Sequence, residues 1–295
     1  MMNSSLHVPV LEREVIRAFC DQPRQPLRFF EGTFGRGGHT KALLDKFPKV
    51  CIVGFDKDQE AVKYAEEEYS DYIKANRLKV IHDDFRNLEK HSLGLFDGAL
   101  FDLGVSSPQF DDAQRGFSFS HDGPLDMRMN LNQTLTAQDT VNQLSEKELS
   151  DLFFNWGEVR RPNRVVRAIV HDRKEKPFTT TLQLAGLIAR VDGRRGRNHP
   201  ATNYFMALRI YVNRELVGLT EFFESMPAQL ERGSRMVVIS FHSLEDRIIK
   251  NVFRKLDKRD GKIINKKVIM ASDDEVSANA RARSAKMRIF EKGGV

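Results

Sequence analysis

Apolar and polar positions in the first hundred residues alternate between two patterns. Short, continuous apolar runs of strand length are separated by segments in which apolar residues recur every three to four positions. Strands that alternate with helices of this length form a parallel sheet with right-handed crossovers. This part of the chain is therefore predicted to be a doubly wound α/β sheet. The predicted strands lie in LRFFEGTF, VCIVGFD, LKVIHDDF and FDGALFDLGVSSPQ, and the predicted helices in LEREVIRAFC, TKALLDKF and QEAVKYAEEEYSDYI.

The alternation stops at Phe110 and resumes after about Arg197. The interval holds the polar loop DDAQRGFSFSHDGPLDMRMN and helical patterns in SEKELSDLFFNWG, NRVVRAIVHDRK and TLQLAGLIARV. A long helix is predicted next in NYFMALRIYVNRELVGLTEFFESMPAQL, then the strand SRMVVISF, the helix SLEDRIIKNVFRKL and a last strand near AKMRIFEK. The simplest interpretation is one α/β domain, residues 1–109 and 200–295, interrupted by a mostly helical insertion at 110–199.

Composition is typical of a soluble protein with a sizeable core. The chain has 295 residues, of which 40% are hydrophobic. No apolar run approaches the roughly 18 residues that span a bilayer. The opening MMNSSLHVPVLERE lacks the apolar stretch of a signal peptide. We therefore expect a cytoplasmic protein.

The chain has two cysteines, Cys20 and Cys51, and no C-x-x-C pair. This pattern supports neither a disulfide framework nor a metal site. Cys20 falls in the first predicted helix and Cys51 at the start of a strand, so both are predicted to be thiols packed in the core.

Charge is distributed unevenly along the chain. Residues 1–154 carry 18 Lys and Arg against 25 Asp and Glu, a net −7, whereas residues 155–295 carry 29 against 16, a net +13. Basic density peaks in the predicted insertion, which includes GRRGR, and again from Arg247 to Lys292. Two such clusters favour a phosphate-rich partner over simple solvation of helix faces. Whether the arginines of GRRGR contact RNA or only keep the insertion soluble is left open.

The first predicted strand runs into a turn rich in glycine, EGTFGRGG, which starts at Glu31. Gly35 and Gly37 begin a G-x-G-x-x-G pattern, but Thr40 stands at the third glycine position, and no G-K-[ST] follows. The two commonest phosphate loops are thereby excluded. An acid followed by closely spaced glycines lets the backbone approach a flat, non-phosphate ligand such as S-adenosyl-L-methionine (AdoMet), but taken alone the pattern is more typical of an ordinary tight turn.

Acidic residues follow the next two strands, where ligands of open α/β sheets bind. Asp56 ends the second strand, where its carboxylate can accept hydrogen bonds from both ribose hydroxyls; the alternative is a helix cap, which Asp58 could provide instead. Asp83 and Asp84 follow the third strand, where a carboxylate can meet an adenine amino group. The ring of Phe85 can lie against the base, although a lone phenylalanine is usually a core residue.

Asp102 ends the fourth strand, and the segment Ser106-Ser107-Pro108-Gln109 follows it. The segment partly resembles the S-P-P-[YW] motif of amino-group methyltransferases. An exocyclic amine of a base is a poor nucleophile, so hydroxyls and backbone carbonyls must accept hydrogen bonds from its N–H groups and aim its nitrogen at the methyl group. Ser106, Ser107 and Pro108 are the candidates for this positioning, and a plain turn is the alternative.

Long segments of the chain resemble the signature blocks of the bacterial 16S ribosomal RNA cytosine-N4 methyltransferase family, and the blocks run in order from His7 to Ile289. The chain departs most from the family pattern near residues 262–274, where the segment before ARARSAKMRI is short. The blocks are HVPVLEREV, EGTFGRGGHT, FDLGVSSPQFDDAQRGFSFSHDGPLDMRM, HPATNYFMALRIYVNREL, ISFHSLEDRIIK and ARARSAKMRI.

This resemblance implies a class I, Rossmann-like methyltransferase sheet with an inserted helical domain that binds the RNA substrate. It also implies AdoMet as cofactor, no metal, and methylation of N4 of a cytidine in the decoding (P-site) region of 16S ribosomal RNA. The small ribosomal subunit would be the partner, and a homodimer is left open. The cofactor contacts carried over from the family are Gly37, Gly38, His39, Asp56, Phe85, Asp102 and Gln109, beside Gly35 of the same turn.

FHSLEDR follows the fifth predicted strand of the sheet. Ser243 and Asp246 fit an S-x-x-D capping box. His242 could take the proton that leaves the amine, orient the target base, or hold a loop by hydrogen bonds. We favour the hypothesis that His242 orients the base.

Two other functions are compatible with parts of the pattern. A DNA cytosine-N4 methyltransferase shares the chemistry, and only the resemblance separates it from an RNA enzyme. A non-catalytic RNA-binding protein on a methyltransferase fold predicts a degraded glycine turn or a missing acid, and neither is present. A nicotinamide-dependent oxidoreductase is disfavoured by Thr40.

Overall fold

The computed structural model describes residues 9–193 and 199–293, and it divides the chain into two compact units. The first unit combines Met1–Gly104 with Leu216–Val295, and the second is Val105–Glu215. The arginines at 194, 195 and 197, which belong to GRRGR, lie outside the described residues, as does His7. No helix in the described ranges is both long and apolar enough to cross a bilayer.

A seven-stranded sheet forms the centre of the first unit. Its order is β3-β2-β1-β4-β5-β7-β6, with β1 to β5 parallel and β7 antiparallel to both of its neighbours. The order reverses between β1 and β4, as in doubly wound sheets. The predicted fold, a Rossmann-like class I methyltransferase sheet, is confirmed. The strands are β1 (Arg28–Glu31), β2 (Cys51–Asp56), β3 (Leu78–His82), β4 (Phe96–Asp102), β5 (Leu230–Ser240), β6 (Gly261–Ile263) and β7 (Lys286–Lys292).

Helices cover both faces of this sheet. Neighbouring strand residues point to opposite faces, and accordingly Phe29 belongs to one core and Phe30 to the other. Helices α1 and α2 bury Phe19 and Leu43 in the first core, and the later helices bury Phe223 in the second. The helices of this unit are α1 (Glu12–Cys20), α2 (Gly38–Lys46), α3 (Gln59–Glu68), α4 (Ser70–Lys74), α11 (Leu219–Ser225), α12 (Ser243–Leu256) and α13 (Asp273–Ala278).

The second unit is helical and has a core of its own, which includes Phe153, Ile169, Leu184 and Tyr204. The three helices predicted between Phe110 and Arg197 are present as α7, α8 and α9. Helices α6, α7 and α9 each begin with a capping box. The helices are α5 (Ser107–Asp111), α6 (Ala137–Gln143), α7 (Glu146–Gly157), α8 (Asn163–Glu175), α9 (Thr181–Asp192) and α10 (Thr202–Val212).

The prediction of one long helix after residue 202 is wrong, because the helix is interrupted between α10 and α11. The Asn213 amide donates to Met127 O, and its side-chain oxygen accepts from Met129 N, both at 2.7 Å. Arg214 has φ 50° and Gly218 has φ 71°, so neither continues a right-handed helix. The apolar periodicity persists across this break, which is why the pattern alone missed it.

The limits of the compact units differ from the predicted domain limits. The junctions lie at Gly104/Val105 and Glu215/Leu216, rather than after residues 109 and 199. Helix α10 buries Tyr204, Phe205 and Leu208 in the core of the second unit, so it belongs with the insertion.

Both cysteines are free and exposed, so the prediction of core thiols is wrong. Cys20 is the last residue of α1, next to the buried Phe19. Cys51 is the first residue of β2, and it points away from the face that buries Ile52. At the end of an element, one step along the chain is enough to move a side chain from the core to solvent.

Candidate active site

The turn between β1 and α2 is held by backbone hydrogen bonds to both neighbouring strands. Gly32 N donates to Leu100 O and Phe34 N donates to Phe55 O, each at 2.9 Å. The turn thereby lies at the carboxyl edge of the sheet, as the sequence predicts. Gly35, with φ 57°, is in the left-handed region.

Gly37 is required by the fold itself. It begins α2 with φ 69°, and a Cβ there would lie 2.6 Å from the ring of Phe34 and 2.7 Å from that of Tyr69. The Tyr69 hydroxyl donates to Gly37 O at 2.8 Å, which fixes the turn from outside. No sequence signal connects Tyr69 to a turn 32 residues earlier. Gly38 follows as the first residue of α2, where a Cβ would meet Pro9 at 3.3 Å.

Asp56 holds the glycine turn in place. Its carboxylate accepts from Gly35 N at 2.7 Å and from Asp58 N at 2.8 Å. Asp58, rather than Asp56, caps α3 by accepting from Glu60 N at 3.1 Å. Burial raises the pKa of Asp56. Each of its oxygens has a second lone pair, so the carboxylate can also accept from ribose hydroxyls.

Asp83 and Asp84 are engaged within the chain. Asp84 binds the Arg86 guanidinium through both oxygens and caps the short helical segment that follows. Asp83 accepts from Asn87 at 2.7 Å and contacts His91 at 2.8 Å. These contacts would compete with an adenine amino group for the two carboxylates.

Phe85 belongs to an aromatic cluster at the end of β3. Its ring packs edge-on against Phe101 and Phe222, with centroids 5.5 and 4.9 Å away. The side chain is only partly buried, so part of the ring is accessible to a ligand. Both its structural role and its predicted role against a base are compatible with this position.

Asp102 and His39 face each other at the carboxyl edge with unused hydrogen-bonding capacity. His39 Nε2 lies 3.8 Å from Asp102 Oδ2. Within the described ranges, Asp102 Oδ1 and both ring nitrogens of His39 are buried without a hydrogen-bond partner. Burial lowers the pKa of His39 to about 4, so the imidazole is neutral at pH 7. Burial, with repulsion by Glu245, raises the pKa of Asp102 to about 7.

Glu31 completes a group of three carboxyls at this edge. It is 1% exposed and accepts a hydrogen bond from the Thr40 hydroxyl. Burial, together with repulsion by Asp102 and Asp56, raises its pKa to about 8. Thr33, whose hydroxyl accepts from Asp102 N at 2.7 Å, was not predicted from sequence. A buried cation would relieve the repulsion among these carboxyls.

Ser106, Ser107, Pro108 and Gln109 lie in the second unit, at the start of α5. Gln109 is buried, and its side-chain oxygen accepts from Ser106 N at 3.0 Å. The glutamine that the resemblance implied as a cofactor contact therefore also fixes the turn that presents the two serines. Pro108 occupies the first turn of α5, where no N–H is needed.

His242 is the N-cap of α12. Its Nδ1 accepts from Glu245 N at 3.4 Å, and its Nε2 lies 3.2 Å from Glu245 Oε1. The predicted capping box of Ser243 and Asp246 is wrong, because the cap lies one residue earlier. Asp246 instead pairs with Arg288, at 2.7 Å.

Residues 4–293 match the model of the MraW methylase family. The chain belongs to this family. It is 51% identical over 288 residues to the ribosomal RNA small subunit methyltransferase H of Bdellovibrio bacteriovorus, covering 97% of this chain and 88% of the relative. Identity to the protein of that name from Coprothermobacter proteolyticus is 41%, covering 99% and 98%. An rRNA methylase structure from Streptococcus thermophilus aligns with this chain with a TM-score of 0.43 at 11% identity, and the alignment covers 95% of each chain.

AdoMet is the cofactor of this methylase. The residues at the carboxyl edge fit it. Asp102 Oδ1, which is buried and lacks a partner in the part of the chain that the structure describes, suits a cationic group, and the oxygens of Asp56 suit a ribose diol. His39 adds a neutral imidazole that can donate one hydrogen bond and accept another.

Proposed function

We propose that this protein transfers the methyl group of AdoMet to the exocyclic N4 amine of a cytidine in 16S ribosomal RNA, in the decoding (P-site) region. The names of its relatives support ribosomal RNA of the small subunit as substrate. The choice of N4 and of the decoding region rests on the sequence resemblance. Such an enzyme acts in the cytoplasm, with the small ribosomal subunit as its partner.

The observation that carries this proposal is the buried Asp102 oxygen, which has no hydrogen-bond partner among the described residues and lies beside a glycine turn at the carboxyl edge of a methylase sheet. Leaving such an oxygen unsatisfied costs about 1–3 kcal/mol. The ammonium group of the methionine moiety of AdoMet would satisfy it. Residues His39, Asp56 and Phe85 would contact the remaining parts of the cofactor, with Gly35, Gly37, Gly38 and Gln109 shaping the turns.

Positioning of the target amine is assigned to Ser106, Ser107 and Pro108. Their hydroxyl oxygens and backbone carbonyl can accept hydrogen bonds from the N–H groups of an amine whose lone pair is delocalised into the ring. Bound AdoMet would supply an electrophilic methyl group and would leave as S-adenosylhomocysteine, while the N4 amine would lose one proton to water, so no covalent intermediate on the protein is needed. His242 is assigned to orienting the base, and the base must be unstacked from the RNA to reach the site.

The direct test is incubation with tritiated AdoMet and three substrates: unmodified small subunits, naked 16S ribosomal RNA, and DNA. Nucleoside analysis then identifies the labelled product. We expect N4-methylcytidine from one position of the RNA. Label in DNA alone would support the DNA enzyme instead, and AdoMet binding without any transfer would support a non-catalytic protein.

A matched pair of variants connects the activity to the site. Asp102→Asn keeps the shape of the side chain but removes its charge, and it should abolish tight AdoMet binding. Asp71→Asn makes the same change at an exposed position of α4 and should behave as the wild type. Equal effects of the two substitutions would contradict the assignment of Asp102.

A further inference from the structure

The first unit has a basic groove of about 870 Å³ at the edge of the sheet opposite Asp102. Arg232 and Gly233 line it near the start of β5, and Lys292 lines it at the end of β7. Because β7 runs antiparallel to β5, the end of β7 lies beside the start of β5. We call this the amino-edge groove.

Cationic side chains dominate the lining of the amino-edge groove. Six are cationic and two are acidic. Both acids are already paired: Glu291 with Arg235 and Lys262, each at 3.0 Å, and Asp260 with Arg259 at 2.6 Å. The lining charges are Arg24, Arg232, Lys258, Arg259, Lys262 and Lys292, with Asp260 and Glu291.

Three of these cations, Arg232, Lys258 and Lys292, have no ion-pair partner in residues 9–193 and 199–293. Arg232 and Lys258 are exposed, and Lys292 is half-buried. The backbone next to them is fixed: Gly233 has φ 80° and Lys258 has φ 68°, and Lys258 N closes a turn on Gly261 O at 2.8 Å. Positive charges held together without a counter-charge attract an anion.

The distance to the methyl-transfer site decides what kind of anion fits. Arg232 and Ser240 are eight residues apart on β5, which at roughly 3.3 Å per residue is about 26 Å. A group bound in the groove is therefore too far away to be the target nucleotide. A polyanion that continues for about eight stacked nucleotides, at roughly 3.4 Å per step, spans this distance.

We propose that the amino-edge groove binds the phosphate backbone of the ribosomal RNA substrate at a distance from the target cytidine. This inference rests on the proposed function, because it takes the RNA as substrate. Phosphate contacts position an RNA without reading its sequence. The groove therefore contributes to RNA affinity and not to the chemical step.

The test is the triple variant Arg232→Ala, Lys258→Ala, Lys292→Ala, assayed with tritiated AdoMet on unmodified small subunits and on naked 16S ribosomal RNA. We expect KM for both RNAs to rise by at least about tenfold at moderate salt, with kcat and the Kd of AdoMet unchanged. The slope of log affinity for naked RNA against log salt should become shallower by about 2–3, because each phosphate that the variant no longer binds lowers the slope by roughly one.

Two matched variants separate local contacts from net charge. Arg232→Lys, Lys258→Arg, Lys292→Arg keeps the charges and should keep the affinity. Lys46→Ala, Lys63→Ala, Lys74→Ala removes three exposed lysines from α2, α3 and α4, and should leave KM unchanged. An equal rise in KM for this second variant would mean that only net charge acts, and it would overturn the proposal.

The remaining outcomes are also decisive. If the alanine variant has an unchanged KM and salt slope and the wild type transfers methyl groups normally, the proposed role of the groove is overturned and the proposed function stands. A rise in KM for assembled subunits, with no change in KM for naked RNA, would indicate that the groove recognises a ribosomal protein. It would overturn the assignment of the groove to RNA phosphates. Absence of transfer by the wild type would contradict the proposed function itself.

Discussion

Glu31 and His39 are buried at the carboxyl edge of the sheet, and Asp56 and Asp102 are half-buried beside them, which costs free energy in the protein without a ligand. Burial raises the pKa of Glu31 to about 8 and that of Asp102 to about 7, and lowers the pKa of His39 to about 4. Perturbed groups of this kind concentrate at functional sites. A ligand that is cationic near Asp102 and forms hydrogen bonds with His39 offsets the desolvation that the fold imposes.

AdoMet affinity should depend on pH through Asp102. The pKa of Asp102 is about 7, so its carboxyl group is mostly protonated below pH 7 and mostly ionised above it. Affinity should increase roughly fivefold from pH 6 to pH 7, as the ionised fraction rises from about one-tenth to one-half. Above about pH 8 affinity should fall again, as the ligand's α-amino group loses its proton. Isothermal calorimetry over the range from about pH 5.5 to about pH 9 measures this profile.

The Asp102→Asn variant is the control for this pH dependence. It should bind AdoMet weakly and without the rise between pH 6 and pH 7. If the variant keeps this rise in AdoMet affinity, a group other than Asp102 causes the pH dependence.

Replacing His39 with leucine should separate stability from binding. The substitution removes two buried polar atoms that have no partner in the described ranges, so the free protein should melt at the same or a higher temperature. Loss of a hydrogen bond to the ligand should weaken AdoMet binding by about tenfold. Calorimetric melting and a binding titration check the two parts, and a destabilised variant with normal affinity would show that His39 serves only the fold.

The residues at which helices begin and end determine which side chains cap a helix and which form ion pairs or hydrogen bonds elsewhere. The cap of α12 falls on His242 rather than Ser243, which leaves Asp246 to pair with Arg288. The break before α11 follows from Asn213, whose side chain bonds to the backbone at Met127 and Met129. Periodicity alone locates neither feature, because both depend on partners distant in the chain.

Two substitutions at His242 distinguish a cap from a contact with the base. Asparagine is a good N-cap, so His242→Asn should keep the stability of the wild type, whereas His242→Ala should lose about 1 kcal/mol. If His242 orients the base, both variants should lose single-turnover methylation rate at saturating AdoMet. Urea unfolding and rapid-quench kinetics provide the measurements. Full activity of the asparagine variant would reduce His242 to a helix cap.

In the whole molecule, the uneven distribution of charge along the sequence does not become an uneven distribution between the two compact units. The basic residues of positions 155–295 are shared between the two compact units. By sequence, Val105–Glu215 carries 16 basic and 13 acidic residues, and the remainder carries 31 and 28, so each unit has a net charge of +3. Basic character is therefore a property of local surfaces, such as the amino-edge groove, rather than of one half of the protein.

The second unit should fold by itself. Residues 105–215 contain a core formed by α6 to α10. We expect this fragment to unfold cooperatively, whereas a fragment of residues 110–199, the predicted insertion, should not, because it lacks Tyr204, Phe205 and Leu208. Circular dichroism during heating tests both fragments. Cooperative unfolding of the shorter fragment would restore the predicted limits.

Local sequence patterns were enough to predict the parallel strands, the switch to helices and the acids and glycines at the strand ends. These follow from local periodicity and from the rule that parallel strands present their carboxyl ends at one edge. The tertiary structure decided what those residues do. It assigned the Asp84 carboxylate to Arg86, exposed both cysteines, moved α10 into the second core and left Asp102 Oδ1 buried without a partner in the described ranges. Burial and pairing depend on residues far apart in the chain, and no local pattern encodes them.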